Sequence, residues 1–372
     1  MASNIANTVN FGTTGLNVGD YTYSLYALSA PGYLPLNSYT NSYLVSSYTA
    51  LGALIVPVIT PVSYAATARS FPNSRIWSEV AYGNGVFVTV ASGSAVAATS
   101  PDGITWTERT LPVSAPWYSI TFGNGLFVAV AGFSIASSVA ATSTDGITWT
   151  QRVLWSSANW SDVAYGNGKF VAIATSVAGA TQSTDGINWY AATMPSASQW
   201  AALAYGNGVF VAIAATSSIA ATSPDGITWT TRTLPSSSVW QGIAFGNGVF
   251  VAIAYNGTAA ATSTNGIDWT ARTLPASAFW YDITYGNNTF VAIAYNGTVA
   301  ATSPDGITWT SRTLPSSSPW GFIAFGAGKF AVTAGVTAST VAATIDYAVN
   351  ATSFVLPNVQ TITGTTAYIK AT

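Results

Sequence analysis

The 372-residue chain contains no cysteine and no histidine. The first absence excludes a disulfide framework, a thiolate metal site and a thiol nucleophile. The second removes the commonest general base and metal ligand. Charge is almost as scarce: Asp, Glu, Lys and Arg make up 6% of residues, with a net charge of −2. No basic stripe is present to neutralise phosphates, so nucleic acid is not an expected partner. Long hydrophobic runs are missing too. The strongest, "ALGALIVPVI", is short and interrupted by Pro57, so membrane insertion is not expected. The opening "MASNIANTVNFG" lacks the basic and apolar regions of a secretory signal. Polarity comes instead from Ser, Thr, Asn and Gly.

What is present is a repeat. Trp77, Trp117, Trp160, Trp200, Trp240, Trp280 and Trp320 open seven successive units of about forty residues, the second being three residues longer than the rest. Each Trp starts an alternating stretch such as "WSDVAYGNGKFVAIA", which reads as strand, tight turn, strand. Asn-Gly between apolar alternations is the favoured two-residue hairpin turn, because both central residues need positive φ. Asn84-Gly85, Asn124-Gly125, Asn167-Gly168, Asn207-Gly208 and Asn247-Gly248 supply it, and Asn287-Asn288 and Ala327-Gly328 are weaker versions. A second hairpin follows in the form "AATSPDGITWT", where Pro and Gly suit a type I turn closed by a glycine bulge. Two hairpins per unit make four antiparallel strands, the content of one propeller blade. The expectation is an all-β chain: a seven-bladed β-propeller of four-stranded antiparallel blades. A linear β-solenoid is the alternative, and ring closure is favoured because it protects the sheet edges.

The seventh unit loses its second turn, its Trp and its Arg, while an orphan "AATARSFP" (65–72) precedes the first. Arg69-Ser70-Phe71-Pro72 matches the "RTLP" that ends other units, so residues 64–72 are expected to close blade seven. The propeller is thereby placed at 61–350.

The second hairpin resembles the Asp-box of sialidases and other propellers, shortened here to Ser-x-Asp-Gly-x-x-Trp. Asp102, Asp145, Asp185, Asp225 and Asp305 carry the acidic position, and Asn265 replaces it in unit five. The resemblance implies a folding device away from any active site, so these residues are read as structural turns. Arg109, Arg152, Arg232, Arg272 and Arg312, three beyond each Trp, belong to the periphery, where their stems cover apolar surface.

The flanks carry a second resemblance. Gly32, Tyr33, Leu34, Asn37, Tyr48, Ala50 and Leu51 match the first half of the phage tail-collar family, with Ser38 and Thr49 departing from its Gly and Pro. Phe354, Leu356, Pro357, Asn358, Tyr368, Ile369, Lys370 and Ala371 match its second half. Segments 1–60 and 351–372 are therefore expected to form a small collar-like domain with the propeller inserted between them. The resemblance implies a tail fibre component of a virion, extracellular after release from the host. Its partners would be other phage tail proteins and a host-surface glycan or receptor. A structural tail protein whose propeller docks onto other virion parts is the alternative, and a glycan-cleaving enzyme a third class.

At the third position of each innermost strand, Glu79, Asp162 and Asp282 alternate with other residue types. Period-two alternation points them at the channel, where they are expected to line wet space, since carboxylates from units one, three and six need not converge; holding a cation or orienting a sugar are the alternatives. With no His or Cys and few acids, no catalytic residue, cofactor or metal site is expected, and the chain is not expected to be an enzyme. The uniform Asn-Gly and Asp-Gly turns share one face. The opposite loops diverge, so that face is expected to bind. Tyr118, Trp155, Tyr255, Tyr281 and Tyr295 are the candidate receptor-binding aromatics, suited to stacking on sugar rings.

Overall fold

The computed structural model describes residues 63–348, with Ser134 and Val336 left out. The collar-like segments 30–55 and 352–372 lie outside the described residues. Residues 63–348 are all-β: antiparallel sheets of four to seven strands in a propeller-like arrangement. Trp77–Gly83, Val86–Ala91, Ser94–Ser100 and Thr107–Ala115 form one four-stranded sheet in chain order. The second unit repeats it. The larger sheets arise because strands Tyr190–Gly206 and Thr270–Gly286 run unbroken from the outer strand of one unit into the first strand of the next.

The turn chemistry explains the hairpins. Asn84 and Gly85 sit at φ 46° and 80°, and Asn287, Asn288 and Ala327 take the same left-handed conformation. In the second turn Ser100 Oγ accepts from Gly103 N at 2.8 Å, Asp102 Oδ1 accepts from Ile104 N at 2.8 Å, and Trp106 Nε1 donates to the Gly103 carbonyl. The pattern recurs at Asp145, Asp185, Asp225 and Asp305, and Asn265 reproduces it with an amide oxygen. Amide donors hold the carboxyls of Asp102, Asp145 and Asp185 below the usual carboxylate range, led by Ile104, Thr148 and Asn188 respectively.

Each unit packs on the next through a glycine. A Cβ on Gly83 would lie 2.1 Å from Phe122 Cγ, and Gly206 meets Phe245 equally closely. Gly123, Gly166, Gly246 and Gly286 lie against Tyr165, Tyr205, Tyr285 and Phe325, and Gly326 meets Tyr82 of the first unit. The contact therefore runs around a closed cycle. Between sheets lie buried Trp, Phe, Val, Ile and Ala side chains, including all seven opening tryptophans.

Strand Ser63–Arg75 lies beside Ser339–Ala348 in a sheet completed by Lys329–Ala334 and Trp320–Gly326. Phe71 is buried there, stacked 4.4 Å from Trp77. Arg69 Nε donates to Thr344 Oγ1 at 3.1 Å, as Arg109, Arg152, Arg232, Arg272 and Arg312 donate to the Thr ten residues before each. The peripheral arginines thus tie the outer strand to its neighbour as well as covering apolar surface.

Candidate functional site

The first strands of all seven units line one central cavity of about 300 Å3. In every unit a β-bulge follows the opening Trp; in unit four, for example, Trp200 pairs with Ala214 and Ala202 with Ile213. A bulge interrupts strict alternation, so the residues one and two positions past the Trp both line the cavity. Tyr118 and Tyr281 belong to the first set, Glu79, Asp162, Asp282 and Phe322 to the second.

The acids do more than line wet space. Ser119 Oγ lies within hydrogen-bonding reach of both Glu79 Oε2 and Asp162 Oδ1, and it accepts from Val163 N. A hydroxyl has one hydrogen to donate. Two carboxyl oxygens on that hydroxyl therefore require a second proton, carried by a carboxyl. Asp162 accepts from Val163 N and Leu203 N, each at 2.7 Å, which favours its charged form. Glu79 accepts only one backbone amide, Ile120 N at 3.2 Å, and is the natural holder of the proton. Burial, with the Asp162 charge adding to it, pushes Glu79 well above the usual range. Burial also pushes Asp162 and Asp282 up to about 7. Glu79 and Asp162 thus meet on one hydroxyl, and Asp282 faces the same cavity.

Each acid also joins its unit to the next. Glu79 accepts from Ile120 N, Asp162 from Leu203 N, and Asp282 from Ile323 N at 2.9 Å. Ser119 does the same toward Val163. Acceptors at this position cap backbone donors on the facing innermost strand. Among the described residues, no group of three or more His, Cys, Asp or Glu is placed to hold a metal ion.

Above the acids the channel is crossed by aromatics. Phe322 meets Tyr118 and Tyr281 edge-on, at 6.0 and 5.6 Å between ring centroids. These three rings line both the acid-bearing cavity and a second depression of about 250 Å3 at the loop face. Ile76, Ser78, Ser92, Gly132, Phe133 and Gly335 complete the depression, which has no charged lining residue among the described residues. Phe133 lies flat on Tyr118 at 4.1 Å, in a left-handed backbone conformation at φ 71°.

Of the five candidate aromatics, four come together. Tyr281 contacts Tyr255 at 6.2 Å and Tyr295 at 6.0 Å, and through Phe322 the group reaches Tyr118. Tyr118 and Tyr281 form the plug itself instead of standing on the loop surface, because the bulge turns them inward. Trp155 lies apart, on the outer strand Thr150–Ala158, and is 61% exposed. Phe133, Phe279 and Ser119 are the participants that sequence reasoning missed. The three extra residues of unit two are the sequence signal for Phe133.

No protein-family model and no curated protein sequence matches the chain. Solved structures do. A streptogramin B lyase aligns at TM-score 0.68 and 11% identity, covering 77% of this chain and 98% of the lyase. Virginiamycin B lyase from Staphylococcus aureus aligns at 0.68 and 11%, covering 76% and 99%. YCF48 bound to a D1 peptide aligns at 0.61 and 19%, covering 79% and 98%. These similarities define the class: an all-β, propeller-like protein resembling known β-propellers. At such identities they speak for the fold alone.

Two expectations are corrected by these findings. The exclusion of catalysis does not stand, because the fold is one that lyases use over nearly their whole length and because the carboxyls converge in its channel. A histidine-to-alanine variant of the S. aureus lyase is catalytically inactive, and this chain has no histidine. The assignment to a viral tail as a host-attachment protein is also withdrawn. Among the structures sharing the fold are lyases and a peptide-bound protein, and the segments that carried that assignment are not among the described residues.

Proposed function

We propose that the chain is a seven-bladed ligand-binding propeller, and that an uncharged carbohydrate occupies the aromatic depression at the loop end of its channel. The observation that carries this reading is the set Tyr118, Phe133, Tyr281 and Phe322 around about 250 Å3 of space without a charged lining residue among the described residues. Sugar rings offer apolar faces to aromatic planes and hydroxyls to polar edges, and a concave, mostly apolar site with a few polar groups is the usual form of a small-molecule pocket. Tyr255, Tyr295 and Phe279 extend the aromatic surface from Tyr281 outward. A glycan array probed with the full chain tests it. Binding to a set of neutral glycans is expected, weakened about ten- to hundredfold in Phe133→Ala, in line with about 1–3 kcal/mol for an aromatic anchor. Asp225→Ala, at a turn on the uniform face, serves as the control and should leave affinity intact.

The Ser119 hydroxyl that links the Glu79 and Asp162 carboxyls favours a second reading, acid–base chemistry in the lower cavity. A carboxyl that titrates near neutrality in an enclosed site is suited to proton transfer. Release of new reducing ends from a bound glycan, lost in Asp162→Asn with binding retained, would support it. Unchanged glycan after prolonged incubation would exclude it for that ligand.

A further inference from the structure

Two neighbouring units carry the same loop. Tyr255-Asn256-Gly257-Thr258 in unit five recurs as Tyr295-Asn296-Gly297-Thr298 in unit six, while the other units differ from both at this place. Strand Thr270–Gly286 runs between the two loops, and its Phe279 pairs with Asn256 on one side and Tyr295 on the other. The Phe279 ring is 49% exposed and lies 5.3 Å from Tyr255. Tyr281, which lines the depression, touches both Tyr255 and Tyr295. Asn256, Thr258, Asn296 and Thr298 stand exposed around this platform.

Exposed aromatic faces framed by polar groups mark an interaction surface. Segments 255–258, 276–281 and 295–298 contain no charged residue, so an ionic ligand finds no counter-charge there. Amide and hydroxyl side chains both donate and accept, which matches the hydroxyls of a sugar. An extended peptide would add to free backbone at a sheet edge, but the backbone at Phe279 is paired on both sides. The two loops also differ in form: in unit five Gly257 is left-handed at φ 87°, whereas in unit six Asn296 is, at φ 52°, followed by Gly297 at 155°. Non-equivalent loops on either side of one ring suit one extended ligand better than two identical small ones.

Resting on the reading of the depression as a sugar site, we propose that the platform at Phe279 continues it, so that the ligand is an uncharged oligosaccharide and not a single sugar. One residue sits in the depression, the following residues lie over Tyr281 and Phe279, and Asn256 and Asn296 select their hydroxyls. Phe133, Tyr118, Phe322, Tyr281, Tyr255 and Phe279 form an unbroken track for such a chain, with 4.1 to 6.2 Å between successive ring centroids.

The test is titration calorimetry of the full chain with uncharged oligomers from monomer to pentamer, of β-1,4-linked N-acetylglucosamine and of α- and β-1,4-linked glucose. For the series that binds, affinity should rise about tenfold or more from monomer to tetramer. Phe279→Gln installs the residue that unit four holds there, Gln199, and should lower the tetramer-to-monomer ratio about tenfold. Asn256→Ala should lower it by a smaller factor. Phe133→Ala should weaken both oligomers and keep the ratio. Affinity that does not depend on length, or a ratio that Phe279→Gln leaves intact, overturns the extension while the depression keeps its sugar. No binding at any length removes the depression reading and the extension with it.

Discussion

Raising the pH from 5 to 8.5 should destabilise the folded chain, and Asp282 gives the size of the effect. Burial holds its carboxyl at about 7, against an ordinary value of 3.8. Between these values the folded state keeps a proton that the unfolded chain has released. Stability therefore falls as pH rises through that window, by about 1.4 kcal/mol per unit. From pH 5 to 7 the loss is about 3 kcal/mol as a ceiling for this one group, and above 7 it levels off. Asp162, also held at about 7, adds a loss of the same sign. The turn carboxyls contribute nothing in this window. Their values are lowered, so the stability they provide is present above the ordinary value and is lost only as pH falls below it. At about 2–4 °C per kcal/mol for a domain of this size, Asp282 alone should lower Tm by roughly 6–12 °C. The assay is thermal unfolding by circular dichroism at pH 5, 6, 7 and 8.5 and constant ionic strength. Asp282→Asn keeps one acceptor, for Ile323 N, at the loss of the one for Ile283 N, and has no charge to acquire, so whatever its starting Tm, that Tm should fall less with pH by about that amount. A wild-type Tm that is flat or rises between pH 5 and 8.5 refutes the reasoning, as does an unchanged slope in the variant.

Two other outcomes follow from packing. Gly206→Ala places a Cβ 2.1 Å from Phe245 Cγ, and the overpacking should cost about 1–3 kcal/mol in denaturant titrations. Phe71→Ala removes a ring buried against Trp77 and Trp106 and should cost about 3–5 kcal/mol by the same measurement; a loss below 1 kcal/mol would mean that strand Ser63–Arg75 contributes little to the sheet it joins.

Much of the fold was legible because four of the seven units state it twice, in an Asn-Gly turn and an Asp-Gly turn whose φ angles leave few alternatives, and the other three keep variants of one or both. The site was less legible. Strict alternation placed Glu79, Asp162 and Asp282 toward the channel but left Tyr118 and Tyr281 on the loop face. The bulge after each Trp, which brings both sets inward, has no residue signature in "WYSI" or "WYDI". The convergence of the acids depends on Ser119, a small hydroxyl that looks neutral in a column of acids and becomes the group on which two of them meet.

The most direct test of the proposed site is a crystal structure of the full chain with the tightest glycan from the array. Density for a sugar ring is expected in the loop-face depression, against the planes of Tyr118 and Phe133 or in place of the latter, with Tyr281 and Phe322 beneath it. A glycan seated on the Asp-Gly turn face, or along the outer strands with the depression empty, would contradict the account.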